Sequence, residues 1–73
     1  MATLGEYRVG IGFNPSGDPL VNELKTSAAQ FIDLCSTIPS EDGERARLIA
    51  LAMTHAEDAA MWAVKAATKT KRE

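Results

Sequence analysis

The stretch that decides the fold runs from Asp18 to Ile38 and has the sequence DPLVNELKTSAAQFIDLCSTI. Its apolar residues recur every three or four positions, which is the spacing of one face of an α-helix. Asp18 suits the N-cap position and Pro19 the first helical position, whereas Pro39 cannot continue a helix. The sequence therefore predicts a first helix over 18–38. Its expected apolar face comprises Val21, Leu24, Ala28, Phe31, Cys35 and Ile38, widened by Leu20, Ile32 and Leu34.

A second helix is predicted over 41–68, where nine of the twelve alanines lie. It follows a short acidic connector, and acidic residues favour the positive end of a helix. Two adjacent apolar seams run along it. One seam is Leu48, Ala52, His55, Ala59, Trp62 and Ala66, and the other is Ile49, Met53, Ala56, Ala60, Ala63 and Ala67. One seam should pack on the first helix, and we assign the other to another copy of the chain, with Trp62 as an interface anchor.

The remaining segments flank this predicted all-α antiparallel hairpin, and the whole chain, 1–73, is expected to form a single domain. Residues 1–17 predict an extended arm, because apolar residues from Tyr7 to Phe13 alternate with Arg8 and glycines. The arm ends in the sequence NPSG at 14–17, which has the chemistry of a tight turn. Residues 69–73 are expected to form a frayed, basic tail.

Composition narrows the class of protein. The chain has 73 residues, with 8 basic and 10 acidic side chains, and this balance disfavours a binder of DNA or RNA polymers. No apolar run is long enough to span a membrane, and the first residues lack the pattern of a signal peptide. A single cysteine, Cys35, predicts a reduced, cytosolic protein. Because so short a chain has no disulfide or metal to stabilise it, oligomerisation is the expected source of stability.

The sequence contains no recognisable catalytic set. The one histidine, His55, falls on an apolar seam and is expected to be a partly buried core or interface residue. Nothing in the sequence places it beside Cys35. Two carboxylate pairs are expected at helix starts or on solvated faces: Asp42 with Glu44, and Glu57 with Asp58. We therefore predict no catalytic residue, no metal ligand, no cofactor and no enzymatic activity.

Several residues are candidates for binding an anionic or aromatic ligand. Tyr7 and Phe13 flank Arg8, and such a group can stack nucleobases and hold phosphate. The alternative, which composition favours, is that both rings fasten the arm to the hairpin.

Cations on the two helices leave a similar choice. Lys25 lies outside the predicted apolar face, with Ser27 two positions later, so the two are either solvated or directed at a phosphate. Arg45 and Arg47 lie at the start of the second helix, where they either bind a phosphate or form ion pairs with Glu41 and Glu44.

Two strings are more specific than these patterns. The sequences EYRVGIGFNPSG at 6–17 and EDAAMWAVKAAT at 57–68 resemble the signature segments of the phage anti-CBASS cyclic-nucleotide sponge family. The hairpin is also similar to part of the anti-Thoeris sponges. The resemblance covers the chain from Tyr7 to Thr68, and neither string is typical of helical hairpins in general.

This resemblance implies a function that composition and periodicity do not show. Family members are small helical proteins that assemble into compact homohexamers in the cytoplasm of the infected bacterial host. They sequester cyclic di- and trinucleotide messengers, cyclic GMP–AMP among them, without cleaving them, so that the CBASS effector is never activated. Their pockets lie between protomers, and dinucleotides and trinucleotides occupy different pockets.

The resemblance also implies roles for individual residues. Phe13 corresponds to the base-stacking aromatic, which is tyrosine in many relatives, and Asn14 to the polar residue beside it. Lys25 and Ser27 are similar to a lysine and a hydroxyl residue on the first long helix. The arginine that contacts the trinucleotide corresponds to Arg45, Arg47 or a C-terminal lysine, with Arg8 as a further candidate.

Two other functions are compatible with the sequence. The first is an adaptor or structural protein that is an oligomeric helical hairpin and binds another protein through its Trp62 face. The second is a small enzyme that degrades the same nucleotides. Stabilisation by a cyclic dinucleotide distinguishes the sponge from the adaptor, and recovery of intact ligand distinguishes it from the enzyme.

Overall fold

The computed structural model describes residues 1–72, and this part of the chain contains three α-helices and no strand. The helices are α1 (Leu4–Val9), α2 (Pro19–Cys35) and α3 (Gly43–Thr68). Val21, near the start of α2, lies beside Val64 near the end of α3, while Cys35 packs with Met53. The two long helices therefore run antiparallel and form a hairpin, with α1 packed against α2.

The extended arm predicted for residues 1–17 is wrong, because Leu4–Val9 is helical. Thr3 and Glu6 form a capping box, in which each side chain accepts a hydrogen bond from the other's backbone amide. Gly10 ends the helix with a φ of 65°, a conformation that glycine adopts without strain. The alternation from Tyr7 to Phe13 spans the last turn of a helix and the linker after it.

Contact between α1 and α2 depends on Gly5. A Cβ atom at this position would overlap the backbone carbonyl of Ala29, so the two helices approach more closely than a side chain allows. The Gly5 amide donates a hydrogen bond of 2.7 Å to Oδ1 of Asp33 on α2. Together these contacts fix where α1 crosses α2.

The long helices are shorter than predicted at their facing ends. Asp18 caps α2 as expected, accepting a hydrogen bond from Leu20 N. However, α2 ends at Cys35 instead of Ile38, because the Ser36 and Thr37 hydroxyls bond to carbonyls one turn earlier and compete with the helical pattern. The second helix begins at Gly43, since Asp42 acts as its N-cap instead of a helical residue.

The buried face of α2 matches the predicted one in part: Val21, Ile32 and Cys35 are buried as expected, whereas Lys25 and Ala29 take the place of neighbouring apolar residues. The centre of the core is Ile32, which packs with Cys35 and Met53. Phe31 and Ile38, both assigned to the apolar face, are exposed. Lys25, expected outside the core, is buried. The buried residues of α2 are Val21, Lys25, Ala29, Ile32 and Cys35.

The structure distinguishes the two seams of α3. The seam containing Ile49, Met53 and Ala60 faces the hairpin interior. The other seam leaves Leu48 and Trp62 exposed, so we call Leu48, His55, Ala59, Trp62 and Ala66 the outer face of α3; all five are exposed. His55 is therefore not a core residue of the single chain.

A short C-terminal tail follows α3. Residues 69–72 are exposed and not helical, and the last residue of the predicted tail, Glu73, lies outside the described residues. Within residues 1–72, no helix combines the length and the hydropathy that crossing a bilayer requires.

Candidate functional site

Among the described residues, Lys25 is the charged side chain that is buried, with 7% of its surface exposed. Its Nζ donates hydrogen bonds to the carbonyl oxygens of Gly10, at 2.9 Å, and of Phe13. A buried ammonium is costly unless its protons are taken by acceptors, and these carbonyls supply them. Lys25 thereby holds the linker between α1 and α2 in one conformation, so it is neither solvated nor outside the packed face.

Phe13 has a fixed backbone and an open ring. Its amide donates to Gly10 O at 2.9 Å and its carbonyl accepts from Lys25, yet the residue is 73% exposed. The Lys25 ammonium lies 5.4 Å from the centroid of the ring, within the range of a cation–π interaction. An aromatic surface held open in this way is available to stack on a flat ligand.

Two clefts meet at Phe13 and Lys25. The α1–α3 cleft has a volume of about 240 Å³. Besides Phe13 and Lys25, its lining includes the charged side chains of Arg8 and Glu57. The other lining side chains are apolar: Val9, Ala60, Met61 and Val64. The turn cleft, of about 300 Å³, lies on the other side of Phe13, toward Asn14, Pro15, Ser16 and the end of α3. A largely apolar cleft with a few polar groups is the usual form of a small-molecule site.

Asn14 maintains the turn between α1 and α2. Its Nδ2 donates to Asp18 O at 2.8 Å and its Oδ1 accepts from Asp18 N at 3.2 Å. Gly17 N donates to Asn14 O, and Gly17 has a φ of 64°. The predicted NPSG turn is confirmed, and the Asn14 side chain is used to close it.

Arg8 reaches across from α1 to α3. Its Nε donates to Oε1 of Glu57 at 2.8 Å, and its Nη2 donates to Oγ1 of Thr54 at 3.3 Å. Tyr7, on the same helix, is exposed and lines neither cleft. Tyr7 and Phe13 therefore do not fasten the N-terminal segment within one chain, contrary to the interpretation that composition favoured.

The other candidates lie away from both clefts. Ser27 is exposed, two residues after Lys25 and so nearly opposite it on α2. Arg45 is exposed in the first turn of α3, and Arg47 forms a salt bridge with Glu44, Nε to Oε1, of 2.8 Å. This hydrogen-bonded pair lowers the pKa of Glu44 and raises that of Arg47.

Sequence reasoning missed Glu57, which it placed on a solvated face. The carboxylate pairs with Arg8, 49 positions away in sequence, and no local pattern indicates such a contact. The Thr3–Glu6 capping box was a readable signal for α1, and a helical α1 is what brings Arg8 to this cleft. Within residues 1–72, no group of three or more His, Cys, Asp or Glu side chains is arranged to hold a metal ion.

Comparison with known proteins identifies the family. Residues 6–68 match the family described as Acb2/Tad1, hairpin domain. Comparisons with curated proteins and with solved structures found no significant match. The family match confirms the resemblance drawn from the strings at 6–17 and 57–68. The chain therefore belongs to the Acb2/Tad1 hairpin-domain family of anti-CBASS and anti-Thoeris sponges, which bind cyclic nucleotides and are not enzymes.

Proposed function

We propose that this protein is a phage anti-immune sponge that sequesters cyclic di- and trinucleotides of the cyclic GMP–AMP class without cleaving them. By lowering the free messenger in the cytoplasm of the infected host, it prevents activation of the CBASS effector. One observation carries the proposal: the exposed ring of Phe13 is held beside the buried ammonium of Lys25 where two clefts meet. An aromatic face and a cation are the two groups that a base and a phosphate require.

In the dinucleotide site, Phe13 stacks on a base and the Lys25 ammonium donates a hydrogen bond to a phosphate. An ammonium has three N–H donors, and the carbonyls of Gly10 and Phe13 take two of them at Lys25. A phosphate oxygen would accept a hydrogen bond from the third N–H group. Asn14 supports this site by holding the turn, and Arg8 adds positive charge to the cleft.

A trinucleotide would bind elsewhere, at a site shared between copies. Arg45 and Arg47 begin α3, at the end opposite Val64 and the two clefts, so one chain does not bring them to Phe13. Ser27 and Tyr7 are both exposed outside the clefts and are also proposed to contact ligand from a neighbouring copy.

We assign the outer face of α3 to a second copy of the chain, in a homo-oligomer that is a hexamer by analogy with the family resemblance. Trp62 is 60% exposed and Leu48 is half-exposed, which leaves a long apolar surface on a small protein. Small residues such as Ala59 and Ala66 on the same face allow a neighbouring helix to approach closely. An adaptor that binds another protein through Trp62 is the competing explanation.

Isothermal titration with cyclic GMP–AMP tests the proposal, followed by heat denaturation and chromatography of the released ligand. We expect tight binding near one ligand per two chains, with the nucleotide recovered intact. Phe13→Ala should abolish most of the heat, whereas Phe31→Ala, which removes an exposed ring outside both clefts, should retain it. Each variant is checked for its oligomeric state by light scattering.

The alternatives give different results in the same experiment. Linearised or hydrolysed nucleotide would identify an enzyme. No heat with any cyclic di- or trinucleotide would overturn the sponge function and favour the adaptor. Normal binding by Phe13→Ala would show that the ligand site lies elsewhere in the chain.

A further inference from the structure

The carboxylate of Glu57 has no role in the function proposed so far, although it lines the same cleft as the Phe13 ring. Arg8 fixes its position: Nε donates to Oε1 at 2.8 Å, and Nη2 of the same guanidinium donates to Thr54 Oγ1. The Glu57 side chain remains 44% exposed, and the rest of the cleft wall is largely apolar. A carboxylate oriented in this way is a preorganised acceptor facing a small-molecule site.

A negative charge here weakens binding of a ligand that carries two phosphates unless the carboxylate accepts hydrogen bonds from that ligand. Arg8 offsets part of the charge, so the cleft still has a net positive lining with Lys25. The four apolar side chains suit the faces of a base and offer it no hydrogen bond. Arg8 and Lys25 carry only donors, so Glu57 is the charged side chain of this cleft that can accept hydrogen bonds from a base edge.

Guanine has the edge that matches a carboxylate. Its N1–H and N2–H groups are adjacent donors and pair with two carboxylate oxygens. Adenine presents an acceptor at N1 beside its N6 amino group, so its N1 lone pair would face a carboxylate oxygen. We infer that Glu57 is a specificity-determining residue that selects a guanine stacked on Phe13. This inference rests on the proposed function, because it requires that a cyclic nucleotide occupies the α1–α3 cleft.

The test compares cyclic di-GMP with cyclic di-AMP, titrated into the wild-type protein and into Glu57→Gln. The amide keeps the size of the side chain and an oxygen for Arg8, but it replaces one acceptor by a donor. We expect wild-type protein to prefer cyclic di-GMP by about tenfold or more, the discrimination that one bidentate base contact gives. In Glu57→Gln this preference should vanish or reverse, because a side-chain amide pairs well with adenine.

Asp58→Asn is the matched control, since it removes the same charge from the neighbouring position. Asp58 accepts a hydrogen bond from Trp62 Nε1 at 3.1 Å and does not line the cleft. It should leave the ratio of the two dissociation constants unchanged. Circular dichroism and light scattering confirm that each variant is folded and assembled.

The ratio separates this inference from the proposed function. Equal changes in affinity for both ligands in Glu57→Gln would indicate a charge or packing effect and overturn the guanine assignment. Tight binding by wild-type protein with no preference between the two ligands would overturn it as well, and the sponge function would stand. No binding of either ligand or of cyclic GMP–AMP by wild-type protein would overturn the proposed function itself.

Discussion

Two regions differ in how many of their polar and apolar groups find partners within one chain: the linker between α1 and α2 with the neighbouring clefts, and the outer face of α3. On the linker side, the Lys25 ammonium, the linker carbonyls and the Arg8–Glu57 pair satisfy one another within the chain. On the outer face, Trp62 has one hydrogen bond to Asp58 and a nearby Lys65 ammonium, but its ring is largely exposed. The contrast is consistent with the proposals that one chain shapes the ligand site and that the outer face of α3 contacts a second copy.

The largest effect is expected from a change that separates α1 from α2. Gly5→Ala should lower the free energy of unfolding by about 3 kcal/mol, because the added methyl meets the Ala29 backbone, which cannot rotate away. Elsewhere in a helix the same substitution stabilises, so the sign itself is informative. Urea denaturation measures the change.

Gly12→Ala is the matched control for this substitution. Nothing lies within 4 Å of a Cβ atom at Gly12, so its effect should stay within about 0.5 kcal/mol. If both variants are equally stable, the close crossing of α1 over α2 is wrong. If Gly5→Ala is stable and binds cyclic GMP–AMP normally, the ligand site does not depend on the packing of α1 against α2.

The next prediction concerns the outer face. Trp62→Ala should weaken self-association by about 2 kcal/mol, or roughly thirtyfold, if the ring is a buried anchor between copies. Analytical ultracentrifugation over a range of protein concentrations measures this. Phe31→Ala removes a comparably exposed ring from α2, 50% against 60% for Trp62, and should leave the association constant unchanged. An unaltered oligomer in Trp62→Ala would favour the adaptor interpretation of this face.

A smaller effect on stability is expected at Lys25. Lys25→Met keeps the length of the side chain but leaves the Gly10 and Phe13 carbonyls without their donor, at a cost of about 1–2 kcal/mol. Amide hydrogen exchange should accelerate in the linker at 10–13, and the affinity for cyclic GMP–AMP should fall. Lys65→Met, at an exposed lysine on α3, should change neither. Unchanged exchange in the linker would show that Lys25 does not organise it.

Local signals in the sequence predicted more than long-range ones. Asp18 and the NPSG turn act through neighbours in sequence, and both were predicted correctly. The capping box at Thr3 was equally local, but a period-two pattern of apolar residues obscured it. Lys25 differs, because its burial depends on carbonyls that lie 12 and 15 positions away. No pattern within one helix reveals that those acceptors will be there.

The same distinction applies to the candidate site. Phe13 was a candidate because it flanks Arg8 and because the family resemblance implies a base-stacking aromatic just before the turn, which is a local feature. Glu57 was not, since its contact with Arg8 exists only after α1 folds and crosses to α3. The residues that give a cleft its polarity are often contributed by distant segments, and periodicity does not record such contacts.

The smallest expected effect is electrostatic and lies at the start of α3, outside both regions. The hydrogen bond from Arg47 lowers the pKa of Glu44 below its ordinary value of 4.5. Because the folded-state pKa is the lower one, this pair stabilises the protein above pH 4.5, and the contribution disappears as the pH falls through the folded-state pKa. Arg47→Gln should therefore raise the Glu44 pKa toward 4.5, as measured by a carboxyl NMR titration. Arg45 is adjacent to Glu44 in sequence, but the salt bridge of Glu44 is with Arg47, so Arg45→Gln should shift the Glu44 pKa less. Equal shifts in the two variants would indicate an effect of general charge in place of the specific pair.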